Sequence, residues 1–289
     1  MAWLDSIVPE IASRRAIFFI GSGTSAFSTN SERLHPPTWN ELLQNAMAHF
    51  IDERAEREYA EELIRYKQYL DAAEIIFSHS DNPEYDSFFT NTFRSPNFQP
   101  APIHQLIYDL DPKIVISTNY DTIYEKQCNI PTGGTQNPYV TKKYYETGIL
   151  DIIRSPIRLI IKAHGCETDP HNIILTRSQY FEARAKYQSF YSLLDSLFHT
   201  STVIFVGCGL SDPDIQLILE NANILVPCGH PHYAFVPNEK HPVIKNTIRK
   251  TYNIKLLEYD NQDGTHNELI QKMTELKEAV ESYRYLDTE

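Results

Sequence analysis

The sequence predicts an α/β protein with a doubly wound, mostly parallel, Rossmann-like sheet and a helical insertion. Short apolar runs of strand length alternate with longer segments at helical spacing, which implies right-handed crossovers between parallel strands. Four of the runs end in a polar or glycine signature. Ala16–Ile20 leads into Gly21-Ser22-Gly23-Thr24-Ser25, and Ile114–Ile116 into Ser117-Thr118-Asn119-Tyr120-Asp121. Leu159–Ala163 leads into His164-Gly165, and Val203–Val206 into Gly207-Cys208-Gly209-Leu210-Ser211-Asp212. Between the first and second of these runs lies a long block without strand signals. In open α/β sheets the ligand crevice lies beyond the carboxyl ends of the strands, so the four signatures are expected to build one site for a nucleotide-like ligand.

Taken in order, Leu4–Arg15 reads as a helix and Ala16–Ile20 as the first strand. Thr38–Ile51 reads as a helix opened by a capping box, with Thr38 as cap and Glu41 three residues later. From Asp52 to about Leu110 the residues are charged and aromatic at helical spacing, with Leu63, Tyr66, Leu70, Ala73, Ile76 and Phe77 as an apolar stripe. Breaks are expected near Asp81-Asn82-Pro83 and Ser95-Pro96. Further strands are expected at Lys113–Ser117, Arg158–Ala163, Ile173–Leu175, Thr202–Val206, His232–Val236 and Ile254–Tyr259. Helices are expected near Thr122–Gln127, Arg177–His199, Pro213–Asn223, Glu239–Lys250 and Asn267–Tyr283. Thr132–Leu150, with Gly133-Gly134, has no clear period and reads as a long loop near the site. The chain thus divides into a sheet domain, 1–51 and 111–289, and a helical insertion, 52–110.

Composition narrows the function. At 289 residues the chain can bury a large core, and a net charge of −12 disfavours nucleic acid as a direct partner and anionic membrane. The first residues carry Asp5 and no basic n-region, and no run approaches the roughly 20 apolar residues that span a bilayer, so a cytoplasmic protein is expected. The four cysteines, Cys128, Cys166, Cys208 and Cys228, form no CxxC pair, which disfavours a disulfide scaffold and a four-cysteine zinc site.

Each motif has a bland reading beside its chemical one. Gly21-Ser22-Gly23-Thr24-Ser25-Ala26 fits the loose G-x-G-x-x-A form in which backbone amides approach a pyrophosphate, or it is a tight strand-to-helix turn. An ordinary dehydrogenase also needs an acidic strand end about 20 residues on, and Pro36-Pro37-Thr38-Trp39 stands there instead. Asn119 and Asp121 are either ligand-binding side chains or caps of the following helix. His164 is a titratable base near neutral pH or a buried structural imidazole. Gly207-Cys208-Gly209 offers close backbone approach, and Ser211 or Asp212 caps a helix with Pro213 at its first position. Cys228, His230 and His232 are spaced two apart, as metal ligands on an extended face are, although a polar loop is the simpler reading.

As an ordered set, Gly21 to Ser25, Thr118 to Asp121, His164-Gly165 and Gly207 to Asp212 resemble the SIR2 family, and more narrowly its bacterial SIR2-like branch. The resemblance implies NAD+ as substrate. It also implies that Asn119 positions the nucleophile at the nicotinamide ribose, Asp121 contacts nicotinamide and His164 is the general base. Gly21, Ser22, Gly23, Thr24 and Ser25 would line the diphosphate and ribose, while Gly207, Gly209, Ser211 and Asp212 would contact the ADP-ribose half. Protein-deacylating members carry two CxxC pairs for zinc and an Asp-Phe-Arg after the glycine turn; this chain has neither, with Ala26-Phe27-Ser28 in the latter place. The resemblance therefore implies an NAD+ glycohydrolase of bacterial anti-phage defence without zinc. It further implies a homo-oligomer working beside a separate sensor or HerA-like ATPase. A deacylase and a non-catalytic nucleotide-sensing subunit are the alternatives.

Overall fold

Seven strands, β1 (Ala16–Ile20), β2 (Ile114–Ser117), β3 (Tyr139–Lys143), β4 (Arg158–Lys162), β5 (Thr202–Val206), β6 (His232–Pro237) and β7 (Ile254–Tyr259), form one parallel sheet. Its order is β3-β4-β2-β1-β5-β6-β7. The computed structural model describes residues 3–130, 139–210, 212–225, 230–238 and 241–286, except the side chains of 213, 214 and 225. Helix α1 (Leu4–Ala12) precedes the sheet. Between β1 and β2 run α2 (Ser22–Ser25), α3 (Trp39–Phe50), α4 (Arg54–Arg65), α5 (Tyr69–Phe77), α6 (Asn82–Phe89), a single π turn at Thr90–Arg94, and α7 (Pro102–Asp109). Then come α8 (Ile123–Cys128) before β3, α9 (Ile149–Ile153) before β4, and α10 (Arg177–Lys186) with α11 (Gln188–Thr200) before β5. Helices α12 (Pro213–Leu225), α13 (Pro242–Tyr252) and α14 (Asn267–Leu286) complete the alternation.

Every residue of β1, β2, β4 and β5 is buried, because helices cover both faces of a parallel sheet. Ile17, Phe19, Ile116, Ile161 and Phe205 pack on one face beneath α9 to α13. Phe18, Ile20, Val115, Ile160 and Ile204 pack on the other against α1, α7 and α14. A third core, around Phe50, Phe77, Phe88 and Phe89, joins α3 to α6 and the π turn. Helix α7 belongs to the sheet's core even though it lies within 52–110.

The chain leaves β1 toward β2 and later returns to β5 on the other side of β1, which makes the β1/β5 edge the topological switch point. The crevice of a doubly wound sheet opens there. Six of the expected strands stand within two residues of their expected limits. Ile173–Leu175 does not: it pairs with no strand. Ile173 and Leu175 turn toward the helical core and Ile174 toward the sheet, so the run is apolar because it is sandwiched. Its polar groups are satisfied outside any ladder, with Ile174 N donating to His164 O (3.0 Å) and Ile174 O accepting from Tyr120 Oη (2.9 Å).

The missing strand is β3, inside the segment expected to be a loop, which also holds the start of α9; residues 132–138 lie outside the described residues. As an edge strand it is buried mainly at Tyr139, so it carries little apolar signal. The helix expected over Arg177–His199 breaks at Tyr187 into α10 and α11, and the one expected from Glu239 begins at Pro242. Among the described residues no helix is long and apolar enough to cross a membrane.

Candidate functional site

At the switch point the turns after β1 and β5 interlock. Gly21 N donates to Val206 O (3.1 Å) and Gly23 N to Gly207 O (3.0 Å). A Cβ on Gly21 would stand 2.6 Å from Gly207 O, and one on Gly23 2.8 Å from the same atom. Gly207 has φ +65°, and a Cβ there would stand 2.4 Å from Thr24 N. Glycine is required at all three positions for backbone packing alone. Thr24 is fully buried, its Oγ1 donating to Gly21 O (2.8 Å), and neither it nor Gly23 reaches the cavity wall.

Beyond these turns lies a cavity of about 720 Å3, within the roughly 300–1,000 Å3 of small-molecule sites. Gly21, Ser22, Ser25, Asn119, Asp121, His164, Gly207, Gly209 and Asp212 all line it. Ser211 lies outside the described residues. The opposite wall, which sequence reasoning missed, comes from the helical region and α10: Trp39, Lys67, Tyr69, Phe93, Arg177 and Tyr180. No strand-end signature marks these residues, because only the folding of α3 to α6 over the sheet brings them to the crevice.

Asn119 is fixed by a polar chain whose direction follows from chemistry. Asp121 Oδ2 is 2.7 Å from Ser25 Oγ, and as a carboxylate it only accepts, so the serine hydroxyl donates to it. Ser25 Oγ therefore accepts from Asn119 Nδ2 at 2.9 Å, and the same amide nitrogen donates to Gly21 O at 3.0 Å. That leaves Asn119 Oδ1 buried and without a hydrogen-bond partner among the described residues, in a residue that lines the cavity. A buried unpaired acceptor is costly, and a ligand hydroxyl or water would satisfy it. Asp121 also caps α8, since its Oδ1 accepts from Ile123 N (3.0 Å). The same residue thus bonds the start of α8 and lines the cavity.

Beneath Asp121 sits Lys162, the last residue of β4, with no exposed surface. Its ammonium donates to Asp121 O (2.5 Å) and pairs with Glu125 at 3.1 Å. Burial opposes the charge, but Glu125 and the neighbouring acidic groups outweigh it and raise the lysine above its ordinary range. The cation ties the turn after β2 to the end of β4, the two segments that carry Asn119 and His164.

His164 is 4% exposed and packs edge-on against Tyr180, with ring centroids 5.1 Å apart. Its Nε2 lies 3.4 Å from Asp212 Oδ2 and its Nδ1 3.4 Å from Tyr180 Oη. Asp212 also caps α12 through Ile215 N (3.1 Å), as the sequence anticipates. Cys208 lines the cavity too, but burial and the nearby Asp212 push its thiol up, so it stays protonated and is a poor nucleophile.

Of the spaced trio, Cys228 lies outside the described residues. His232 is a structural imidazole: its Nδ1 accepts from Val203 N (3.1 Å), and burial pulls its pKa down to about 4. Among the described residues no group of three or more His, Cys, Asp or Glu stands ready to hold a metal.

Comparison with known proteins matches residues 113–257 to the family model of a SIR2-like domain. The chain is 22% identical over 248 residues to defense-associated sirtuin 2 of Bacillus subtilis, a match spanning 85% of this chain and 23% of that protein. It is 22% identical to the NAD(+) hydrolase ThsA of Acinetobacter baumannii and 27% identical to that of Cytobacillus dafuensis, each over 221 residues. Those two matches cover 76% of this chain and 42% and 40% of the relatives. The chain thus spans between about a quarter and two-fifths of the length of these curated relatives.

Proposed function

This chain belongs to the SIR2-like domain family, and from that premise we propose that it hydrolyses NAD+ to nicotinamide and ADP-ribose. The observation that carries the reading is the buried, unpaired Oδ1 of Asn119, a residue that lines the same cavity as His164. In the reaction the bond between nicotinamide nitrogen and ribose C1′ breaks, and its electron pair leaves with nicotinamide. Water attacks C1′ of the oxocarbenium-like ribose and its surplus proton passes to His164. Asn119 Oδ1 accepts from the attacking water or a ribose hydroxyl, which orients it without trapping the cation. The imidazole suits the base role because its ordinary pKa lies near neutral pH. Ser25 and Asp121 hold Asn119, the Ser22 and Gly209 backbones approach the diphosphate, and Asp212 stands beside His164.

In this reading the helices of 52–110 other than α7 form a subdomain over the nucleotide. The wider role is an effector of bacterial anti-phage defence that acts in the cytoplasm by depleting NAD+. Relatives named as a defense-associated sirtuin and as NAD(+) hydrolases support this assignment. The working form is a homo-oligomer beside a HerA-like ATPase or another sensor, a part of the proposal that rests on the family resemblance.

Liquid chromatography of the purified protein with NAD+ alone tests the activity. Hydrolysis yields nicotinamide and ADP-ribose without peptide. A deacylase needs a peptide substrate, and a sensor yields neither product. Asn119→Ala or His164→Ala should lower turnover by about 10²–10⁴-fold, and wild-type turnover in both folded variants would refute the assignment.

A further inference from the structure

We propose that Tyr180 and Asp212 form a positioning pair for His164, an inference that rests on the reading of His164 as the base of NAD+ hydrolysis. Both members are fixed by elements outside the turn that carries the histidine. Tyr180 follows the capping box of Thr176 and Gln179 that opens α10, in which Thr176 N donates to Gln179 Oε1 at 2.9 Å. That helix start is tied to α5, where Arg177 makes two bonds to Asp71 (2.5 and 2.7 Å) and Ser178 N donates to Glu74 Oε2 (2.9 Å). Asp212 is held by its cap on α12. The phenol and the carboxylate meet at 2.9 Å, and because the carboxylate only accepts, the phenol gives it its proton.

The pair then lies along one edge of the imidazole, with Tyr180 Oη 3.4 Å from Nδ1 and Asp212 Oδ2 3.4 Å from Nε2, so that in the neutral ring one nitrogen donates to the pair and the other keeps the lone pair that takes the proton. These contacts are longer than ordinary hydrogen bonds, as catalytic contacts often are before substrate binds. The arrangement aligns the ring and places a carboxylate beside it when His164 takes up the proton of the attacking water. Tyr120 and Cys208 also face Asp212, but the Tyr120 hydroxyl is committed to Ile174 O. Tyr180 thus acts through Asp212 and His164, and the helical region acts on the base through Tyr180.

Tyr180→Phe removes one oxygen and leaves the ring packing. We expect kcat to fall about ten-fold, the worth of one hydrogen bond, with KM for NAD+ within about two-fold and the pH profile of kcat shifted. Asp212→Asn should lower kcat further, and adding Tyr180→Phe to it should cost little more, because the two act as one unit. Long-range 1H–15N spectra of the His164 ring without NAD+ give a second readout. The tautomer balance or titration midpoint should change in Tyr180→Phe. If the wild type leaves NAD+ intact, the functional reading fails, and the ring spectra alone then judge the pair. Unchanged ring signals and an unchanged pH profile in Tyr180→Phe, even with a lowered melting temperature, would overturn the proposal.

Discussion

Replacing Lys162 by Met removes a fully buried cation that joins the segments carrying Asn119 and His164, and the cost can be worked out from its surroundings. Lys162 has no exposed surface, and Glu125 lies 3.1 Å from its ammonium. Breaking a buried pair by removing one partner costs about 3–5 kcal/mol, because the other charge stays uncompensated. At the roughly 2–4 °C per kcal/mol of chains of 150–250 residues, the melting temperature should fall by about 6–20 °C. The double variant Lys162→Met/Glu125→Leu removes both charges in a volume-matched way, which is often neutral. The carbonyl of Asp121 still loses its donor, at about 1–3 kcal/mol, so the double variant should end close to that cost below the wild type and above Lys162→Met alone. Urea unfolding of the wild type, both single variants and the double variant measures the coupling. A loss below about 1 kcal/mol in Lys162→Met, or additive single losses, would refute the reasoning.

Three further outcomes follow from the geometry. Gly207→Ala should destabilise by more than about 2 kcal/mol, since the positive φ alone costs about 1–2 and the new Cβ would meet Thr24 N at 2.4 Å. Gly264→Ala, at φ +70° with nothing within 4 Å, should cost only the backbone part; equal urea midpoints for the two variants would contradict the interlocked turns. Ser25→Ala removes one of the bonds that fix the Asn119 amide, which Gly21 O still holds, and should cut turnover about ten-fold, the worth of one hydrogen bond, while the donor lost to Asp121 costs about 1–3 kcal/mol of stability. His104 and His232 are both held near pKa 4, in each case mainly by burial, below the ordinary 6.5. Their stabilisation is therefore complete above about pH 6.5 and is lost as pH falls from there toward 4, at about 1.4 kcal/mol per pH unit for each group. His232→Asn, whose Oδ1 can still accept from Val203 N, should flatten that decline in a pH series of urea unfolding.

How much of the fold was legible depended on how each segment is buried. The runs of β1, β2, β4 and β5 are apolar at every position because helices cover both faces, and such runs announce themselves. Edge strand β3 has one flank open and few buried side chains, so its sequence reads as a loop. Ile173–Leu175 has the opposite problem, since apolar residues serve two cores there without any ladder.

The candidate site divides in the same way. Local signatures after strands mark Asn119, Asp121, His164 and the glycines, because the strand-to-helix turns that build such crevices need small or capping residues at fixed offsets. The roles within that set are tertiary. Which way the Asn119 amide points follows from Ser25 and Asp121 meeting across two turns, 96 residues apart in the chain. That Gly23 packs a turn while Gly209 faces the cavity depends on the register of β1 against β5. Tyr180 and Trp39 sit on helices whose pattern tells which face is apolar but not what that face meets, and Lys67 sits in the turn between α4 and α5. The sequence by itself determined the six strands other than β3, where the crevice opens and the residue types at the strand ends, because those are local needs of turns and periods. The tertiary structure alone decided the cover of the crevice, the partners of His164 and the free oxygen of Asn119, because each depends on distances between segments far apart in the chain.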